Sequence, residues 1–305
     1  MWVYVLKLDT NGKIVRYKAR WVVRGDRQNV GVDFHETFAP VCSYESIKLL
    51  LAIGAHFGFT IRQFDVKTAY LNGAIDTDLY VEQPHGFAEK GKEDWVCSLQ
   101  KAVYGARQSA RCWNNTFAAF LRAFGFTQSA MDPCVYFIKD GDRIVFLAIY
   151  VDDGLLEGND PELLAHIERA LNETFRCRSG PVDTFLGLRI LRGNNGLSID
   201  QGHYTRQVLR RFGMSDSNPV LTPADGIPTR PTIQEELDTT FPYASVIGCL
   251  NFLVRGTRLD IAFAVKTAAK FIQKHTGTHI KFVKRILRYL NGTLFLGICY
   301  LQGSG

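Results

Sequence analysis

The stretch IVFLAIYVDDGLLEG, Ile144 to Gly158, restricts the folds open to this chain more than any other. Eight uncharged residues, Ile144 to Val151, run into two adjacent aspartates, Asp152 and Asp153, and then into Gly154 and the apolar pair Leu155 and Leu156. An apolar run this short, bounded by Asp-Gly turn chemistry and followed by more apolar residues, predicts a buried β-hairpin with its turn at the aspartates. Two carboxylates then stand at the tip of a core hairpin. Asp-Asp-Gly is also ordinary turn material, and the choice between turn and site depends on what the rest of the chain places nearby.

The chain opens with strand-like runs on either side of Asn11-Gly12, a strong hairpin signal. The second run carries Lys13, Arg16, Lys18, Arg20, Arg24 and Arg27 against a single acid, Asp26, a pattern that suits a solvated face or a phosphate grip. Residues 43 to 58 read as a core helix that Ser43 can cap and Gly58 ends. Thr60 to Val66 then reads as a strand with Asp65 near its end, where a carboxylate is normally avoided, and Asn72-Gly73 as a turn. Short strands are predicted over 79–83, 95–99 and 134–138, with a second core helix from about Ser109 and a turn at Asp140-Gly141. After the hairpin, Asn159 or Asp160 caps a helix with Pro161 in its first turn, and 185–191 and 197–199 form another hairpin through Asn195-Gly196. This alternation implies an α+β layer, helices packed behind a largely antiparallel sheet that carries Asp65 and the Asp152/Asp153 tip.

From about residue 203 the texture changes. A short helix at 203–212 precedes a loop-like stretch holding five of the ten prolines, and helices follow at about 243–255, 259–275 and 279–290. Nine basic residues and one acid, Asp260, lie between Arg255 and Arg288. Lys266, Lys270 and Lys274 are expected on one helix face and Lys281, Lys284, Arg285 and Arg288 on another, as a solvated surface or a nucleic-acid groove.

Composition removes several classes. No apolar run spans a membrane and no secretory signal opens the chain. Seven scattered cysteines without a C-x-x-C pair argue for free thiols and against a zinc site. His275 and His279 have ligand-like spacing but lack a cysteine pair, and read as exposed histidines around a loop. A formal charge of +6 permits an anionic partner without demanding one.

If Asp65, Asp152 and Asp153 are neighbours, their repulsion of about 4 kcal/mol per close pair calls for a cation or a proton. Magnesium answers that need with one or two carboxylates plus substrate phosphates, and two such ions suit in-line phosphoryl displacement. FDVKTAYLNG, YGARQSARCW and YVDDGLLEG, in this order, resemble the reverse transcriptases of copia-type LTR retrotransposons. The resemblance extends through YKARWVVRGDRQ, ETFAPV, YVEQPHGF, FLGLRI, TRLDIAFAV and RILRYLNGT, and so covers nearly the whole chain.

What the resemblance implies is a right-hand polymerase of α+β class, with fingers and palm over 1–202 and a mainly helical thumb and start of connection over 203–305. Asp65, Asp152 and Asp153 match the catalytic aspartates, with the Val66 carbonyl joining them as metal ligands for two Mg2+ ions, which Mn2+ can replace. Lys18, Arg20, Arg24, Tyr70 and Gln108 match deoxynucleotide-binding positions, Tyr70 as the steric gate against a ribose 2′-hydroxyl. Tyr150, Val151, Gly187, Lys266, Lys270 and Lys274 match primer and template contacts. The implied partners are an RNA or DNA template with its primer, deoxynucleotides and other Pol and Gag products, with no membrane. The implied location is the cytoplasm, in virus-like particles, with nuclear entry. Ala110 and Leu259 stand where the family usually has proline, and the fingers and RNase H segments are expected to be incomplete or missing. The competing readings are an inactive transposon-derived remnant that keeps the fold and binds nucleic acid, and a carboxylate site for another phosphoryl transfer.

Overall fold

The computed structural model describes residues 1–8, 13–229, 237–238 and 240–303; the predicted Asn11-Gly12 turn and part of the proline-rich stretch lie outside them. The described chain forms two compact units, one of Met1–Ser46 with Thr60–Pro181 and one of Ile47–Phe59 with Val182–Gly305.

In the first unit, β1 (Trp2–Leu8) and β2 (Ile14–Trp21) form an antiparallel ribbon that sets Trp2 opposite Trp21 and Val5 opposite Lys18. Helix α1 (Tyr44–His56) starts here and continues into the second unit; as expected, the Ser43 hydroxyl caps it, accepting the Ser46 N–H at 3.0 Å. Next come β3 (Thr60–Val66), the small pair β4 (Tyr80–Glu82) and β5 (Val96–Ser98), and α2 (Ser109–Phe124). Strands β6 (Thr127–Gln128), β7 (Val135–Asp140), β8 (Arg143–Tyr150) and β9 (Asp153–Gly158) lead to α3 (Pro161–Phe175) and β10 (Cys177–Pro181). Six of these strands make one antiparallel sheet in the order β10-β3-β9-β8-β7-β6.

Helices α2 and α3 are held to the sheet by aromatic side chains. Phe117 of α2 stands 6.3 Å from Phe64 of β3, and Phe175 of α3 meets Trp113 and Phe117 at 5.2 and 5.6 Å. Burying such rings contributes about 1.5–3 kcal/mol each, enough to fix the helix faces. Asp160 caps α3, accepting the Glu162 and Leu163 N–H groups at 3.0 Å. Asn159 instead ties the hairpin entrance, accepting from the Ile144 N–H and donating to the Asp142 carbonyl.

In the second unit, β11 (Thr184–Phe185), β12 (Leu188–Gly193) and β13 (Gly196–Asp200) are joined by β14 (Ile298–Leu301) in a four-stranded sheet. Helices α4 (Gly202–Arg211), α5 (Tyr243–Gly256), α6 (Ala262–Ala269) and α7 (Gly277–Gly292) enclose an apolar core that includes Leu250, Leu253, Ile286 and Leu287. The fully buried Arg258 pairs with Asp260 at 2.8 Å and donates to the Thr293 carbonyl and hydroxyl, which satisfies the charge inside the core. Leu259 is 61% exposed in the 3-10 turn before α6. With seven α-helices and a multi-strand antiparallel sheet among the described residues, the chain is of mixed α+β class.

Two local expectations fail. The helix expected over 259–275 stops at Ala269, so Lys270 is its C-cap and Lys274 lies beyond it; the chain turns so that the buried Phe271 meets His279 at 4.1 Å. Lys266, Lys270 and Lys274 therefore do not share one helix face. His279 is buried rather than exposed, completing a capping box with Thr276, and His275 stacks on Tyr243 at 4.4 Å.

Candidate active site

The β8–β9 hairpin turns one residue earlier than its Asp-Gly pair suggests. Tyr150 lies opposite Asp153, so the two loop residues are Val151 and Asp152, and Asp153-Gly154 already belongs to β9. Val151 has φ +59°, a left-handed conformation that a β-branched residue adopts only under constraint, at about 1–3 kcal/mol. The constraints are visible. The Trp113 indole N–H donates to the Val151 carbonyl at 2.6 Å, and the Val66 N–H donates to the Asp152 carbonyl at 2.7 Å. Gly154 is required by packing rather than by the turn, because a Cβ there would fall 2.0 Å from the Phe64 ring.

Cross-strand register assembles the carboxylates. Asp65 pairs directly with Asp153 across β3 and β9, and Asp152 adjoins them in the turn. Burial, then Asp152 and Asp65, push the Asp153 carboxyl up to about 6. On the other side of β3, Arg178 of β10 is the register partner of Asp65, and burial together with Asp65 raises the neighbouring Cys177 thiol to about 12.

Asp65, Val66 and Asp152 line a cleft of about 960 Å³ with Lys18, Arg20, Tyr104 and Arg178. Burial and the neighbouring Arg20, Lys7 and Arg16 lower the Lys18 pKa, while Asp152 opposes them. Carboxylates on the floor and cations on the walls can hold a hard metal ion together with the phosphates it bridges. The oxygen donors of Asp65 and Asp152 fit Mg2+ in that mode, although no cluster of three His, Cys, Asp or Glu groups is arranged for a metal among the described residues.

The other sequence-derived positions divide. Tyr70 lines a separate apolar pocket of about 210 Å³ with Val151, Trp113 and Ala110, and its ring is 4.7 Å from Tyr104. Burial and Asp152 both raise the Tyr70 pKa, which keeps its hydroxyl neutral. Arg24 pairs with Asp26 and lines a different cavity with Arg27 and Gln28, away from the cleft lining. Gln108 is wholly buried: its oxygen accepts from Gln28 and its amide donates to the Asp33 carbonyl and the Thr77 hydroxyl, so the structure does not bring it to the cleft. Tyr150 closes β8 beside the turn. Gly187, with Leu186, forms the two-residue β11–β12 turn in the second unit, both at positive φ.

Tyr104 and Arg178 line the cleft and Trp113 donates to its turn, and no motif assigns any of the three to a site. Gly105, at φ +92°, was the available signal for Tyr104; Arg178 carried none, because CRSGP lacks strand alternation and holds both glycine and proline.

Residues 1–226 match the reverse transcriptase (RNA-dependent DNA polymerase) family. The chain is 38% identical over 312 residues to the retrovirus-related Pol polyprotein from transposon TNT 1-94 of Nicotiana tabacum, covering 98% of this chain and 23% of that protein. It is 36% identical over 306 residues to the corresponding polyprotein from transposon RE1 of Arabidopsis thaliana, covering 99% of this chain and 21% of that one. The putative transposon Ty5-1 protein of Saccharomyces cerevisiae is 30% identical over 243 residues, 79% of each chain. This chain thus spans under a quarter of the two plant polyproteins. On the strength of the family match and of these relatives, it belongs to the reverse transcriptase family of retrotransposon Pol polyproteins, the copia-type membership its motifs implied.

Proposed function

We propose that this chain is the polymerase portion of a retrotransposon Pol protein and extends a primer on an RNA or DNA template by nucleotidyl transfer from deoxynucleotides. The observation that carries the reading is that Asp65, the register partner of Asp153, lines with Asp152 a cleft that Lys18, Arg20 and Arg178 also line. In this reading the six-stranded sheet with α2 and α3 is the palm, the β1–β2 ribbon belongs to the fingers, and α4–α7 form the thumb, with the division near residue 202.

The primer 3′-hydroxyl attacks the α-phosphate, the α–β phosphoanhydride bond breaks and pyrophosphate leaves. Lys18, Arg20 and Arg178 take up the triphosphate charge through ammonium and guanidinium donors. Asp65 and Asp152, with the Val66 carbonyl, would hold two Mg2+ ions, or Mn2+ in their place, which when bound would supply Lewis-acid stabilisation of the attacking and departing oxygens. Asp153 shapes the turn and adds charge to the site once it is ionised. Trp113 and the Val66 N–H keep Asp152 aimed. Gln108 acts indirectly, by fixing the Gln28 and Asp33 segments beside α2. The template–primer contacts assigned to Tyr150, Val151, Gly187 and the three lysines are mostly to backbone, and so weaken steeply with salt. The natural partners in this reading are other Pol and Gag products in cytoplasmic particles.

Primer extension on poly(rA)/oligo(dT) with magnesium or manganese tests the reading. Asp152→Asn is expected to abolish extension while hybrid binding stays within about twofold, since one carboxylate contributes little to backbone contacts. Equal extension by the variant would refute the site, and an inactive wild-type chain that still binds hybrid would favour the remnant reading.

A further inference from the structure

Two cavities of the first unit are each lined by one ring of an aromatic pair that no sequence motif connects. Tyr104 lines the cleft with Asp65 and Asp152, whereas Tyr70 lines the smaller pocket with Val151. Their ring centroids are 4.7 Å apart with 50° between the planes, and the Arg20 guanidinium carbon stands 5.3 Å from the Tyr104 centroid.

The backbone beneath Tyr104 is fixed more firmly than that beneath Tyr70. The Val23 N–H donates to the Tyr104 carbonyl at 2.8 Å, and at Gly105 a Cβ would fall 2.1 Å from the Val23 carbonyl oxygen. That approach is open to glycine alone. Tyr70 sits on a single 3-10 turn, Ala69–Asn72, which follows Thr68 at φ +53°. A lone ring on a short turn can rotate away from a sugar, whereas a ring packed face to ring against an anchored neighbour cannot do so without losing that contact. Arg20 stacks on Tyr104 and so ties the pair to the cationic wall that meets the triphosphate.

We propose that discrimination against a ribose 2′-hydroxyl is a property of the Tyr70–Tyr104 ring pair, with Tyr104, which lines the cleft, the positioning residue for the neighbouring Tyr70 ring. This inference rests on the polymerase reading above, and its test separates the two. Single-nucleotide extension of oligo(dT) on poly(rA) is measured with dTTP and with UTP for wild type, Tyr104→Ala, Tyr104→Leu and Tyr104→Phe. The ratio of kcat/KM for dTTP over UTP is expected to fall at least about tenfold in the alanine and leucine variants, mainly through a lower KM for UTP, and to stay within about twofold in the phenylalanine variant, which keeps the ring. A merely structural role would lower both activities together and leave the ratio unchanged. Active alanine or leucine variants with the wild-type ratio overturn the proposal. A wild-type chain that extends nothing refutes the polymerase reading instead, and calorimetric titration of dTTP and UTP with magnesium then decides the ring pair. A dTTP:UTP affinity ratio that falls at least about tenfold in Tyr104→Leu supports it; an unchanged ratio, or no nucleotide binding by wild type, overturns it.

Discussion

Strand β8 ends in two two-residue turns whose first loop residues share one φ and differ in chemistry. Before it, Asp140 pairs with Arg143 around Gly141-Asp142, and Gly141 has φ +59°. After it, Tyr150 pairs with Asp153 around Val151-Asp152, and Val151 has the same φ, +59°. Glycine adopts that conformation without steric cost, while valine pays for its Cβ branches. The first turn is exposed and glycine-led, closed by the Asp140–Arg143 ion pair with Asn159 donating to the Asp142 carbonyl. The second is held from outside, by the Trp113 indole and the Val66 N–H. Strain is tolerated where tertiary contacts over-determine the backbone, and here the strained turn is the one that carries Asp152.

The contrast can be broken from either end. The largest effect is expected from Trp113→Phe, which keeps an aromatic ring but removes the donor to Val151. Extension should fall about 10²-fold through misplacement of Asp152, with a loss of about 1–2 kcal/mol in urea unfolding. An unchanged rate would show that the turn holds itself. Next, Gly141→Val should destabilise by about 1–3 kcal/mol with unaltered kcat, because the strain is added at an exposed loop residue outside the cleft lining. Val151→Gly should do the reverse, raising stability by up to about 1 kcal/mol while slowing extension as the turn loosens. If both valine/glycine exchanges move activity equally, the two turns are not functionally distinct.

The smallest effect concerns protons. The Asp153 carboxyl is raised to about 6 by burial and by its two neighbours, so the folded chain holds a proton that the unfolded chain releases at lower pH. Its contribution to stability is therefore fully present below the ordinary carboxylate range and is lost as pH rises through about 6. Without metal, wild type should lose more Tm than Asp153→Asn between about pH 4 and pH 7. Added Mg2+, which the charge of an ionised Asp153 favours, should raise the wild-type Tm more at about pH 7 than at about pH 5. Parallel Tm curves for the two proteins would remove Asp153 from the linkage.

Much of this architecture was legible in residue order. The strand Thr60–Val66 and the start of α2 at Ser109 stand where the hydrophobic pattern predicts them. Strand β10 was not legible, since Cys177–Pro181 mixes small, charged and cyclic residues and becomes a strand only by pairing with β3. The end of α6 at Ala269 was hidden for a similar reason, because burying Phe271 against His279 outweighs the local preference to continue the helix. At the site, a motif can name Asp65, Asp152 and Gln108 but says nothing about which way a side chain faces. Gln108 faces inward to three partners, and Tyr104, four residues earlier, faces the cleft.

By itself the amino-acid sequence determined the family, the α+β class and the presence of three aspartates on strands that could meet, because hydrophobic period and motif order are local properties of the chain. Only the tertiary structure decided that the turn falls at Val151-Asp152, that Asp65 faces Asp153 and Arg178 on its two sides, and that Tyr104 backs Tyr70. Each of those depends on cross-strand register and on packing between residues distant in sequence, where a shift of one position would turn every side chain to the opposite face.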